Sequence, residues 1–115
     1  MKIASSVTGV VSLPREEGPL TGGMGNNAEF VTIKIRTDNG IEGIGYAGFA
    51  SSVMLKALKE SVDALLDQIV GKDPRSVESI NNWLRELAGG GAPSGLVTRA
   101  ISGIDVALWD IKGKA

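Results

Sequence analysis

The stretch GIGYAG, Gly43 to Gly48, has the spacing G-x-G-x-x-G with which dinucleotide-binding proteins bring backbone N–H groups to a pyrophosphate. That chemistry needs the glycines in the turn between a parallel strand and a helix. Here they follow the turn-forming run TDNG and fall inside a returning strand, and no later segment has strand patterning. The competing reading is steric: Gly43 and Gly45 lie on one strand face and make room for a helix crossing it. That reading is preferred. A second glycine-rich run, AGGGAPSG at 88–95, lacks the Gly-Lys-Ser/Thr ending of a phosphate loop and reads as a linker between helices.

The carboxylates offer little more. Glu16 and Glu17 follow Arg15 in a glycine-rich segment, where adjacent glutamates are usually solvated rather than assembled around a metal. Asp105 stands at the margin of an apolar helical stripe, near Ile101 and Trp109. No partner base accompanies it, so an ion pair or capping contact to a neighbouring segment is expected instead. Asp110 and Lys114 have the favourable i,i+4 orientation for an ion pair. The chain has neither His nor Cys, which removes the commonest general base, thiolate metal sites and disulfides. No catalytic residue and no metal ligand is assigned to this chain.

The elements that hold these residues follow from patterning. The 115 residues, 43% apolar, suffice for one domain with a single core, residues 1–115. A net charge of −1 with scattered Lys and Arg gives no nucleic-acid footprint, and no apolar run is long enough to span a bilayer. The N-terminal apolar stretch is interrupted by Ser5, Ser6, Thr8 and Ser12, so it reads as a strand over 2–13 rather than a signal peptide. Ile3, Val7 and Val11 share one face of it by parity. Residues 14–27 hold two Pro and four Gly without periodicity and read as a long loop, expected to be mobile. In 28–37, Val31, Ile33 and Ile35 alternate with Thr32, Lys34 and Arg36, and TDNG turns the chain into IEGIGYAGF.

The period then changes. Leu55, Leu58, Val62, Leu65, Leu66 and Ile69 share a helical face, with Ser51 or Ser52 as cap and Gly71 at the end. Val77, Ile80, Leu84 and Leu87 mark a second helix, opened by Pro74 or Ser76. Val97, Ile101, Ile104, Leu108 and Ile111 mark a third. Three strands followed by three main helices predict an α+β fold, an antiparallel meander on a helical bundle. The core is expected to include Ile33, Ile35, Leu58, Leu65, Leu84, Ile104 and Leu108.

The third helix is apolar around most of its girth. Ala100 and Ala107 flank its stripe, Trp109 and Val106 lie on other sides, and only Arg99, Asp110 and Lys114 form a narrow charged band. Such a helix packs on two sides. Either a second domain covers the far side, or the helix sits centrally in a small bundle. Gly103 in mid-helix costs about 1 kcal/mol relative to Ala, a cost tolerated for close backbone approach.

At its end, AISGIDVALWDIKGKA, the sequence resembles the segment that closes the N-terminal domain in the mandelate racemase and muconate-lactonizing branches of the enolase superfamily. TIKIRTDNGIEGIGYAGF resembles the second and third strands of that domain, IVGKDP the join of its first two helices, and GAPSGLVTRAISGID the entry to its third. The nearest flavour is the mandelate racemase and acid-sugar dehydratase group. The resemblance implies a capping domain over the mouth of a (β/α)₈ barrel that this chain does not contain. In such enzymes the barrel holds Mg²⁺ and the bases that remove a proton next to a carboxylate, leading to racemisation, cycloisomerisation or dehydration.

The cap supplies two loops that select the substrate, which correspond here to residues 14–27 and about 48–53. Arg15, Leu20, Met24, Phe49 and Ser51 are the candidate substrate contacts. The resemblance therefore implies no cofactor in this chain, Mg²⁺ in the parent enzyme, and partners that are the barrel domain and a small carboxylate. A cytoplasmic protein that forms a homo-oligomer is expected, with the isolated chain pairing through Trp109 and Val106. The alternative is a free-standing binding or assembly module that uses the same fold without chemistry.

Overall fold

The computed structural model describes residues 1–13, 28–49, 52–89 and 95–115. Strands β1 (Ile3–Leu13), β2 (Ala28–Thr37) and β3 (Glu42–Phe49) precede helices α1 (Ser52–Asp67), α2 (Val77–Ala88) and α3 (Gly95–Lys114). The strands form one antiparallel sheet in the order β1-β2-β3. The expected meander followed by three helices is thus the observed α+β architecture. The expectation of mobility for residues 14–27 concerns residues outside the described ones.

The β2–β3 turn closes as its sequence dictates. Thr37 N–H donates to Ile41 O (2.9 Å) and Gly40 N–H to Thr37 O (3.1 Å). Gly40 takes φ +85°, a conformation that costs glycine nothing. Thr37 is buried, and its hydroxyl is satisfied locally, accepting from Ile41 N–H (3.0 Å) and donating to Asn39. Asp38 joins the turn to the start of β1, with its carboxylate accepting from Lys2 N–H (3.0 Å).

β1 departs from its expected facing. Ile3 pairs with Thr37, but Ser5 pairs with Arg36, so the register slips between Ile3 and Ser5. One extra residue reverses the parity of everything after it. Ile3 stays in the core, whereas Val7 and Val11 turn to the outer face and are exposed. Thr8 now points inward and donates to Asp63 on α1. Partial burial pulls the Asp63 carboxyl up, but the Thr8 hydroxyl and the Lys59 ammonium (3.0 Å) outweigh it and hold it below its ordinary value.

β2 presents Val31, Ile33 and Ile35 to the core, all fully buried, as the alternation predicts. Leu58, Leu84, Ile104 and Leu108 are buried as expected. Leu65 is only partly buried and packs at the margin of the core. Leu87 is exposed, because it lies in the last turn of α2, beyond the buried run Val77, Ile80 and Leu84.

α3 lies almost backbone to backbone on β3. A Cβ at Gly45 would stand 2.3 Å from Gly103 O, and one at Gly43 would stand 2.2 Å from Ala107 O. A Cβ at Gly103 would stand 2.9 Å from Ile33 Cδ1 and 3.1 Å from Tyr46 O. The steric reading of GIGYAG is therefore the observed one, and the helix propensity lost at Gly103 is the cost of this close approach.

The charged band of α3 runs along the open edge of β3. Lys114 Nζ donates to Glu42 O (2.9 Å), Ile44 N–H donates to Asp110 Oδ2 (2.9 Å), and Arg99 Nη1 donates to Gly48 O (3.1 Å). Asp110 also receives Lys114 at 3.0 Å, the expected i,i+4 pair. Edge strands leave backbone groups available to other chains, and here side chains of the crossing helix occupy them. The Ile44 amide and Lys114 hold the Asp110 carboxyl below its ordinary value. Asp110→Ala should accelerate amide exchange at Ile44 by about tenfold, since edge opening becomes local, and leave Ile33 in the central strand unchanged. Equal rates at Ile44 in both proteins would show that the clip does not hold the edge.

The α1–α2 connection closes the other end of the sheet. Ile3 N–H donates to Lys72 O (2.9 Å) and Gly71 N–H donates to Ile3 O (2.8 Å). Gly71 has φ +88°, and the Lys72 ammonium lies 4.1 Å over the Trp83 ring. Asp73 Oδ1 accepts from the Arg75 backbone N–H (2.9 Å) and Nε (3.0 Å), while Oδ2 accepts from Nη2 (2.8 Å). This fork lowers the Asp73 carboxyl from its ordinary 3.8 to about 2. A depressed carboxylate stabilises the fold above its unfolded value and loses that contribution as pH falls through its folded value. The contribution of Asp73 is accordingly complete above 3.8 and fades toward about 2. An NMR titration of the Asp73 carboxyl should show a midpoint near 2, and Arg75→Ala should return it toward 3.8.

Candidate functional site

The strand ends that border the two expected substrate loops lie at the same end of the sheet. Leu13, the last residue of β1, pairs with Ala28, the first of β2, and Phe49 at the end of β3 pairs with Glu29. The strand ends that border residues 14–27 therefore stand beside the end of β3. The second expected loop, about 48–53, is narrower than expected: Gly48 and Phe49 belong to β3 and Ser52 and Val53 to α1. The antiparallel crossing of α3 over β3 brings the start of that helix to this end too, where Arg99 holds Gly48 O. Arg15, Leu20, Met24 and Ser51 lie outside the described residues, as do Glu16 and Glu17. Phe49 is placed by its backbone register opposite Glu29.

Three further side chains lie near this end on two sides of the sheet, Phe30 and Tyr46 on the outer face and Arg99 on α3, which packs on the inner one. Phe30 and Tyr46 meet edge to face with ring centroids 6.0 Å apart. Gly48 lies against Phe30, since a Cβ there would stand 3.3 Å from the ring. Arg99 contributes the guanidinium. Sequence reasoning assigned none of the three to this end of the sheet. For Phe30 and Tyr46 a signal existed, because the TDNG turn fixes the register that puts Phe30 opposite Gly48 and one diagonal step from Tyr46. For Arg99 there was none, because its partner lies 51 residues away.

The shifted carboxylates lie elsewhere, and each is explained by the fold. Asp38 is lowered by Lys2 N–H, Asp63 by Thr8 and Lys59 against burial, Asp73 by Arg75, and Asp110 by Ile44 N–H. Asp105 receives Asn81 Nδ2 from α2 at 3.4 Å, a hydrogen bond from a neutral amide where an ion pair or capping contact was expected. Among the described residues no three His, Cys, Asp or Glu side chains come together in a way that could hold a metal ion. Mg²⁺ requires an oxygen-donor set of near-octahedral geometry, and the described residues do not fit it. Among them, too, no helix is long and apolar enough to cross a membrane.

Known proteins share this architecture. Residues 7–115 match the family described as mandelate racemase / muconate lactonizing enzyme, N-terminal domain. A D-galactonate dehydratase family member from Oceanicola granulosus is 43% identical over 94 residues, covering 81% of this chain and 22% of its own. The D-mannonate dehydratase of Novosphingobium aromaticivorans is 43% identical over 91 residues, covering 74% of this chain and 21% of its own. The structure of L-talarate/galactarate dehydratase from Salmonella typhimurium, liganded with Mg and L-lyxarohydroxamate, superimposes with a TM-score of 0.81 at 26% identity. It covers 98% of this chain, which spans 30% of that one. The chain thus spans about a fifth of the length of the curated relatives it matches. With its three-stranded meander, its helix seated on paired glycines and this match over residues 7–115, the chain belongs to the N-terminal domain family of mandelate racemase and muconate lactonizing enzyme, in the enolase superfamily.

Proposed function

We propose that residues 1–115 are the capping and specificity domain of a larger Mg²⁺-dependent enzyme that dehydrates or isomerises a sugar acid or a related hydroxy acid. The observation that supports this reading is that the strand ends bordering residues 14–27 and 50–51 lie at one end of the sheet, where Leu13 pairs with Ala28 and Phe49 with Glu29. Two loops leaving together can close over a small carboxylate, exclude water and choose among substrates, while the domain beneath them keeps their bases fixed. Arg99 on Gly48 O and the Phe30–Tyr46 pair provide that fixed base. In this reading Arg15, Leu20, Met24, Phe49 and Ser51 contact the substrate. Proton abstraction next to the carboxylate, and the metal that acts as its Lewis acid, belong to a C-terminal barrel.

The test joins this chain at Ala115 to the remaining portion of the Salmonella typhimurium L-talarate/galactarate dehydratase, in place of that enzyme's own N-terminal domain. With Mg²⁺, the joined protein should dehydrate galactarate, whereas the 115-residue chain alone should not. Replacing residues 14–27 by a Gly-Ser segment of equal length should raise KM for galactarate by about tenfold or more, with a smaller change in kcat, because uniform binding is what the loop adds. Turnover by the isolated chain would overturn the reading. Tight binding of galactarate by the isolated chain, without turnover after joining, would instead assign it to a free-standing binding module.

A further inference from the structure

The two edges of the sheet are treated differently. Along β3, Glu42 O, Ile44 N–H and Gly48 O are each taken by a side chain of α3. β1 is closed only at its start, where Ile3 exchanges hydrogen bonds with Gly71 and Lys72. The facing of the rest follows from parity. Ile44 stands opposite Lys34 and sends its N–H away from β2 to Asp110, so the backbone of Lys34 bonds toward β1, where it meets Val7. Ser5, Val7, Gly9 and Val11 therefore bond β2, while Ser6, Thr8, Val10 and Ser12 direct their N–H and C=O groups to the open edge. Among the described residues no hydrogen bond reaches those outward backbone groups. Nor does the strand carry the usual protection of an edge. IASSVTGVVSL has no charged residue and no proline, and its one register slip lies between Ile3 and Ser5. Val7 is 67% exposed, Val10 51% and Val11 38%.

We propose that this edge is the surface on which a second copy of the chain docks, β1 against β1, antiparallel about a two-fold axis at Gly9. The register is the one that matches every open group. Ser6 faces the partner's Ser12 and Thr8 faces the partner's Val10, each pair occurring twice, for about eight N–H···O=C bonds across a continuous six-stranded sheet. Moving the pairing by two residues leaves one open residue on each strand unmatched. Between the bonded pairs, Gly9 meets the partner's Gly9, so no side chains crowd the axis. Val7 meets the partner's Val11 on the outer face, and the two exposed valines cover each other at both ends. A two-fold contact brings one surface against itself, so charges on it meet their own kind. An uncharged strand meets no such repulsion. The α1 side chains at this edge, Asp63 on Thr8 and Lys59 on Asp63, are of opposite sign and add no net charge. This self-complementarity is what points to a second copy rather than to a foreign strand. The proposal goes beyond the capping reading and does not depend on it, because β1 lies at the opposite edge of the sheet from β3 and its α3 clips.

Amide exchange on the unsubstituted chain tests the edge. At about 1 mM the Thr8 and Val10 amides should exchange about tenfold slower than after about fiftyfold dilution, because association protects them. Val7, Gly9 and Val11, already bonded to β2, should exchange equally at both concentrations. Thr8 and Val10 rates that are equal at the two concentrations, whether fast or slow, overturn the proposal. Association seen by light scattering without that protection assigns the contact to another face, such as Trp109 and Val106, and overturns it too. Because the chain has no cysteine, introduced thiols test the register. Val7→Cys and Val11→Cys chains, mixed and mildly oxidised, should form a disulfide about tenfold faster than either variant alone, since only the mixture sets two thiols in one close pair with Cα atoms about 4.5 Å apart. Ala64→Cys, exposed on α1, mixed with V11C gives the rate of random collision. A mixture no faster than V7C alone, V11C alone or that control removes the two-fold axis at Gly9. Should a cysteine variant fail to fold, the exchange comparison decides alone. Galactarate dehydration by the joined protein bears only on the capping reading, so the two claims fail separately.

Discussion

Gly45→Ala should destabilise the domain by about 3 kcal/mol, the upper end of what overpacking costs. The added methyl would stand 2.3 Å from Gly103 O and 2.8 Å from Ala107 N. Both are backbone atoms of α3, so no side chain can rotate away to relieve the clash. The helix must lift off the strand, and lifting it lengthens the bonds by which Lys114 and Asp110 hold the edge of β3. The usual gain of a Gly→Ala change, about 0.4–1 kcal/mol through the unfolded chain, is too small to compensate. Gly113→Ala is the control: nothing lies within 4 Å of its Cβ position, and the change should not destabilise. Urea unfolding at pH 7 measures both. Gly45→Ala with the same midpoint as the parent would mean that α3 is not seated as described. Domains of this size have about 5–15 kcal/mol in total, so Gly45→Val is expected to leave little folded protein.

Leu108→Ala should cost about 2–5 kcal/mol, through lost transfer energy and the cavity left behind. Leu108 is 1% exposed, on a helix that contacts the sheet on one side and α1 and α2 on others. Few neighbours can collapse into the space, because the opposing strand is already at backbone contact through Gly43 and Gly45. The next residue gives the contrast. Trp109 is the larger side chain, yet it is half exposed, and Trp109→Ala should cost no more than about 1 kcal/mol, including its contact with Lys112. Thermal or urea unfolding of the two variants, compared directly, tests which face of α3 is core. A larger loss for Trp109→Ala would place the indole inside the domain.

The fold was legible in the sequence because period is a local property. Alternation through Val31, Ile33 and Ile35 and the 3-4 spacing through Ile101, Ile104 and Leu108 each report which residues share a face, and the structure buries those faces. TDNG fixed the hairpin, and the position of GIGYAG after it separated a steric role for the glycines from a phosphate-binding one. The ends of the candidate loops were also visible, as the places where patterning stops.

Tertiary structure decided what period cannot encode. One extra residue between Ile3 and Ser5 turned Val7 and Val11 off the face they were expected to share with Ile3, and a register slip leaves no mark on composition. In the sequence Arg99, Asp110 and Lys114 form only a narrow charged band. Its role depends on an edge strand 51 to 72 residues away in sequence, at a distance set by how closely α3 can approach. The approach itself was readable residue by residue in Gly43, Gly45 and Gly103. Only packing joins them, because a glycine shows that space is needed, whereas the chain that fills the space is chosen by every other contact in the core.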